Sequence, residues 1–105
     1  MKVDIFPRAE ADIILQFRCY LLDQDAPSTA IRFRQAVIES IKQLHSHPLI
    51  GSIVRSSIPG LRSWPVKGFD MIRIYYLEDP DRLRVVRILH GTRNVLRILK
   101  QEKLT

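Results

Sequence analysis

The chain of 105 residues carries seventeen Lys and Arg against eleven Asp and Glu, a net charge of +6, and a single cysteine. That length leaves room for one domain with one core across residues 1–105. The lone Cys19 excludes an internal disulfide and a cysteine-rich metal site, and no apolar run approaches the roughly 18 residues that would span a membrane.

Val3 to Phe6 is a short β-branched and aromatic run that Pro7 terminates, which predicts an edge or first strand. The same N-terminal residues lack the continuous apolar region of a signal peptide, so a soluble, cytoplasmic protein is expected. Ala9 to Asp23 is helical by period. Ile14, Phe17 and Leu21 recur at spacings of three and four, Ile13 and Tyr20 widen the stripe, and Cys19 is expected inside it as a small buried hydrophobe. Asp23 to Pro27 breaks the helix; Pro27 suits the first turn of the next one, with Asp25 or Ser28 as the expected cap.

The second helix has the clearest pattern. Ala30, Phe33, Val37, Ile41 and Leu44 line one face with Ile38 beside them, and the helix should stop near His45 to His47, before Pro48. The short linker predicts an antiparallel helix hairpin. Leu49 to Gly60 reads as loop, after which the period changes from 3.6 to 2. Strands are predicted at Leu61–Val66, where Pro65 implies an edge or a bulge, at Asp70–Leu77 and at Leu83–His90, the last two joined by a hairpin through Glu78–Arg82. Gly91 ends the last strand, and Arg93 to Lys100 forms a short helix. The expected fold is α+β: an N-terminal strand, then the helix hairpin packed on one face of a mostly antiparallel sheet of about four strands, then a short C-terminal helix. The other face of the sheet is left as a candidate binding surface.

Twelve arginines against five lysines favour bidentate contacts with carboxylate or phosphate, so charge favours an acidic protein or a nucleic acid as partner. Arg84 and Arg87 stand an odd number of residues apart on the last strand and are expected on opposite faces, one of them joining Arg73 and Arg93 in a basic concavity. Trp64 and Tyr75 would add stacking surface to that face, although core is the expectation for Trp64. His90 is the one histidine on the predicted strands; it either moves protons or orders the turn at Gly91. His45 and His47 have no further ligand nearby in sequence, and neither metal nor cofactor is called for.

Three stretches taken together resemble the ParE/RelE toxin superfamily. APSTAIRFRQAVIESIKQLHSHPLIG is similar to the second helix of ParE-type toxins, GLRSWPVKGFDMIRIYYLEDPDRLRVVRILHGTR to the family's three-strand core, and RVVRILHGTRNVLRIL to the motif that closes ParE proteins. The resemblance runs in order over nearly the whole chain. It implies the toxin of a type II toxin–antitoxin (plasmid stabilisation) pair, bound by a ParD-like or similar antitoxin in a hetero-oligomer. ParE-like members are associated with inhibition of DNA gyrase; RelE-like members cleave messenger RNA on the ribosome without a metal.

For the ribonuclease alternative the resemblance points to Arg62, Arg73 and Arg93, with His90 as the nearest acid–base candidate. The tyrosine expected six residues beyond Arg93 is Leu99, and Lys67, Lys100 and Lys103 do not stand at the expected positions. That departure favours the gyrase inhibitor, a protein-binding role, over an enzyme. The functional basic surface is expected at Arg73, Arg87, His90 and Arg93. A third alternative is a harmless antitoxin-binding module.

Overall fold

Two prolines start the two long helices. The computed structural model of the chain describes residues 2–102, and in it β1 (Lys2–Ile5) is followed after one residue by α1 (Pro7–Arg18). Pro7 ends the strand and also opens the helix, because its fixed φ suits the first helical turn, where its missing N–H is not needed. The helix therefore starts two residues before Ala9. It runs into a π-helical turn (Cys19–Asp23), and α2 (Pro27–Ser46) begins with the second proline. Ala26 is the N-cap and no side chain caps it; Asp25 instead takes a positive φ of 49°, which a short polar residue tolerates. The expected caps, Asp25 and Ser28, are not used.

The sheet has five strands in the order β1-β5-β4-β3-β2, with β2 (Ser52–Ile53), β3 (Arg62–Val66), β4 (Phe69–Glu78) and β5 (Arg82–His90) as the later members. β1 lies parallel to β5, and the other pairs are antiparallel. The fifth strand is the two-residue β2 inside the stretch expected to be loop; two residues are too few to show a period. Pro65 marks a register shift against β4, the bulge expected of a proline inside a ladder. The helix α3 (Val95–Lys100) closes the chain, capped by the Asn94 side chain on the Arg97 N–H. Among the described residues no helix is long and apolar enough to cross a membrane.

Both faces of the sheet are covered. Phe33, Val37, Ile41 and Leu44 of α2 pack on Ile72, Ile74, Tyr76, Leu83 and Val85, with Trp64 half-buried at the margin. On the far side Leu99 of α3, with Ile58 and Leu61 from the loop before β3, covers Tyr75, Leu77, Val86 and Leu89. The second face is thus a small second core and not the open binding surface that one helical layer implied. Trp64 and Tyr75 are packing residues. Ile38 is exposed on the outer side of α2.

A second register shift lies between Tyr75 and Tyr76, where Val86 is the extra residue of β5. Arg84 stands opposite Leu77 and Arg87 opposite Tyr75, and Leu77 and Tyr75 share a face. The bulge therefore places Arg84 and Arg87 on the same side of the sheet, against the alternation expected from their spacing.

Arg87 ties three parts of the chain together. Its Nε and Nη2 donate to the Asp12 carboxylate at 2.7 and 2.8 Å, and its Nη1 donates to Glu102 at 2.8 Å. Asp12 also accepts the Ile88 N–H at 3.0 Å, and Glu102 pairs with Arg8 at 3.4 Å. α1, β5 and the segment after α3 thus meet at one guanidinium. The hydrogen bonds to Asp12, opposed by burial and reinforced by Glu102, hold Arg87 protonated more firmly than a free guanidinium.

The loop after α2 is fixed by two other side chains. Arg62 donates to the Gly51 carbonyl at 2.8 Å and the Leu49 carbonyl at 3.2 Å. Tyr76 Oη accepts the Gly51 N–H at 2.9 Å and donates to the Pro48 carbonyl at 2.8 Å. A Cβ at Gly51 would stand 2.5 Å from Tyr76 Oη and 2.8 Å from the Ser63 carbonyl, so only glycine fits there.

Two outcomes are expected in thermal or urea unfolding. Asp12→Ala leaves a partly buried cation short of its main partner and should cost about 2 kcal/mol, whereas Asp4→Asn, which breaks the exposed 3.7 Å pair with Arg82, should stay within about 0.5 kcal/mol. Equal effects would mean that the Arg87 cluster contributes no more than a surface pair. Tyr76→Phe should cost about 1–3 kcal/mol through the orphaned Gly51 N–H and Gly51→Ala a similar amount through the clash; the double variant should cost less than the sum, because the hydroxyl is common to both losses.

Candidate partner-binding groove

α1 carries apolar residues on two sides, and only one of them meets the sheet. Ala9 and Asp12 are buried, and Ile13, Phe17 and Tyr20 half-buried, along the side that packs inward. Ile14, taken from sequence as core, is 55% exposed, and Leu15 and Leu22 are 64% and 63% exposed. Ala11, Leu15, Arg18 and Leu22 follow one another at spacings of three and four, so they form a second stripe on the helix. The π-helical turn carries the last part of that stripe and holds Cys19 half-buried, with Gln24 Nε2 donating to its Sγ at 3.8 Å. π-turns of this kind often accompany functional surfaces.

Facing this stripe are the end of β5 and the turn beyond it. Together they enclose an open groove of about 700 Å³, lined by Ile14, Leu15, Cys19 and Leu22 on the helical side and by Ile88, His90 and Arg93 on the other. Asp12, at its floor, is held by Arg87. Along the helix the lining mixes apolar Ala11, Ile14, Leu15, Cys19 and Leu22 with Gln16 and Asp23, and Arg18 and Arg93 add two cations. A seat of this shape and chemistry suits an amphipathic helix with apolar anchors and acidic flanks.

The residues expected to form one basic surface lie in different places. His90 stands opposite Ile72 and so lies on the helical side of the sheet; its Nδ1 accepts the Thr92 N–H at 3.3 Å and contacts the Thr92 hydroxyl at 2.8 Å, which orders the turn that carries Arg93. Arg73 stands opposite Leu89 on the far side, and its Nε donates to Ser63 Oγ at 3.0 Å. Arg87 is enclosed by its two carboxylates. Arg62 holds the loop after α2, and Arg84 pairs with Asp79 at 2.9 Å across the β4–β5 hairpin. Only His90 and Arg93 come together at the groove. Lys67 and Lys100 are exposed, on the β3–β4 turn and on α3, and Lys103 lies outside the described residues. His45 and His47 end α2, and among the described residues no group of His, Cys, Asp and Glu converges as a metal site would.

The groove residues that sequence reasoning missed are Leu15, Arg18 and Leu22. Their signal was present: Leu15 and Leu22 stand on the opposite side of the helix from Ile13, Phe17 and Tyr20, and that second apolar side had to face something other than the sheet.

Comparison with known proteins agrees with this architecture. No curated protein sequence matches the chain. Among solved structures it is similar to a chain from the chromosomal ParDE toxin–antitoxin system of P. aeruginosa, at 20% identity and a TM-score of 0.71, over 86% of this chain and 95% of that one. The family model described as the ParE toxin of the type II toxin–antitoxin system parDE matches residues 3–103. By that match, over nearly its whole length, the chain belongs to the ParE family of type II toxin–antitoxin toxins.

Proposed function

We propose that this toxin is held inactive by a cognate antitoxin whose amphipathic helix lies in the groove between α1 and β5, and that it acts by binding DNA gyrase, not by cutting RNA. The observation that carries the second part is the dispersal of the cations a ribonuclease would need. Cleavage of a phosphodiester requires cations converging on one phosphate, with an acid or base within hydrogen-bond reach of the reacting oxygens. Here Arg62 is committed to two loop carbonyls and Arg73 to Ser63, and Arg93 is at the groove with α1. Arg73 and His90 stand on opposite faces of the sheet. Leu99, where the RelE resemblance would put a tyrosine, is fully buried on the inner side of α3. A protein that works through surfaces needs none of that convergence.

The antitoxin part rests on the groove. Leu15 and Leu22 present apolar surface two turns apart, the pattern read by a helix with anchors at matching intervals. Arg18 and Arg93 favour acidic residues beside those anchors.

Two measurements test the reading. Soon after induction of the chain without antitoxin, new protein synthesis should continue while supercoiling by purified gyrase is inhibited in its presence; an immediate collapse of synthesis would replace this mechanism with the RelE-like one, and no growth defect would leave only the antitoxin-binding module. Leu15→Asp should weaken binding to the antitoxin encoded beside the gene about thirtyfold, the effect of losing a central anchor, with the melting temperature unchanged because the side chain is exposed. Unaltered affinity would place the antitoxin elsewhere.

A further inference from the structure

The loop after α2 holds exposed apolar side chains on a rigid support. Leu49 and Ile53 are 62% and 68% exposed, with Ile50 between them also exposed. A flexible linker would explain such exposure, but Arg62 and Tyr76 hold this loop with hydrogen bonds to Pro48, Leu49 and Gly51. Arg62 binds the Leu49 and Gly51 carbonyls and stands directly opposite Ile53 across the β2–β3 pair, so one residue fixes the backbone that carries these apolar side chains. A preorganised apolar cluster forgoes the ordering cost that a loop otherwise meets on binding, which is what an interaction surface requires.

Backbone geometry gives the mode of contact. β2 is the last strand of the sheet, and among the described residues no other strand pairs with its outer edge. Val54 donates its N–H to the Leu61 carbonyl, toward β3. By the alternation along a strand, the N–H and C=O of Ile53 therefore turn outward, where an added strand would pair with them. Charge selects among occupants. From Ser40 to Phe69 the chain holds Lys42, Arg55, Arg62 and Lys67 and no Asp or Glu. A second copy would bring like charges together at this edge; an acidic segment is complementary to it. The exposed aliphatic residues favour protein over nucleic acid, which would call for stacking aromatics.

We propose that the β2 edge, with Leu49, Ile53 and Arg55, is the surface that engages the toxin's target, through an extended acidic and apolar segment of the target protein that adds as a strand along Ile53. It rests on the toxin reading above and is separate from the antitoxin groove, since β5 and β2 are three strand spacings apart, about 14 Å.

The test pairs growth inhibition on induction with affinity for the antitoxin encoded beside the gene, measured for the full chain and for Ile53→Asp, Leu49→Asp and Arg55→Glu, each checked for an unchanged melting temperature. Each variant should need about tenfold more inducer to arrest growth while binding antitoxin as the parent chain does. Three results overturn the proposal: variants as toxic as the parent; antitoxin affinity falling in step with toxicity, which gives the edge to the antitoxin; or loss in Arg55→Glu alone, which indicates a phosphate-binding surface. A parent chain that leaves growth untouched overturns the toxin reading and this proposal with it.

Discussion

The clamp of Arg87 between Asp12 and Glu102 determines how the helical layer meets the sheet. One guanidinium with three donated hydrogen bonds joins the first helix, the last strand and the segment after the last helix, which are separated by most of the sequence. A small domain has little apolar area to spare, and an ion pair taken out of water is worth less than its Coulomb attraction suggests, because both charges lose their hydration. What the clamp supplies is position. A bidentate fork between Arg87 and Asp12 admits one orientation of α1, and the Ile88 N–H on the same carboxylate fixes its height along β5. With Ala9 and Asp12 turned to the sheet, Leu15 and Leu22 are necessarily turned out. The groove is a consequence of which face the clamp selects.

The arginine count then takes on another meaning. A net charge of +6 reads from sequence as a surface for phosphate or carboxylate, yet Arg62, Arg73, Arg84 and Arg87 are largely occupied with loop carbonyls, a serine, a hairpin aspartate and the clamp. These are the arginines of the core strands, where partial burial would leave an unpaired cation at a high cost. Exposed arginines remain at the groove (Arg18 and Arg93), beyond β2 (Arg55) and on the outer sides of α2 and α3 (Arg34 and Arg97).

Much of the fold was legible because period survives burial. Ala30, Phe33, Val37, Ile41 and Leu44 repeat on one side of α2 and could be placed on the core directly, although Ile38, read beside them, is exposed; the change to period 2 after Gly60 marked the sheet. The misplacements have local causes. α1 is apolar on two sides, and periodicity does not say which side meets the sheet; that choice was made by Asp12, whose polar character argued against burial until Arg87 was known to reach it. The faces of Arg84 and Arg87 were misread because one extra residue at Val86 reverses the alternation, and a bulge among β-branched residues leaves no sequence mark of the kind that Pro65 provides. The dispersal of the candidate residues followed from the same bulge and from the second core under α3. Sequence similarity gave the family, but the family's chemistry depends on which face each arginine occupies.

The positions of the two proposed surfaces constrain how neutralisation can work. Coupling between distant sites needs an element with two arrangements that both sites bias. Between the groove and the β2 edge lie β5, β4 and β3, packed on both faces, and a loop that Arg62 and Tyr76 hold in place. A tightly packed sheet of this kind transmits little change in shape. An antitoxin helix seated in the groove would therefore leave the edge as it is, and could block a target only by extending its own chain across the sheet or by the bulk of what it carries. On that placement the burden of inhibition would fall on the length of the antitoxin beyond its anchoring helix, and affinity in the groove and masking of the edge would be separate properties of the same partner.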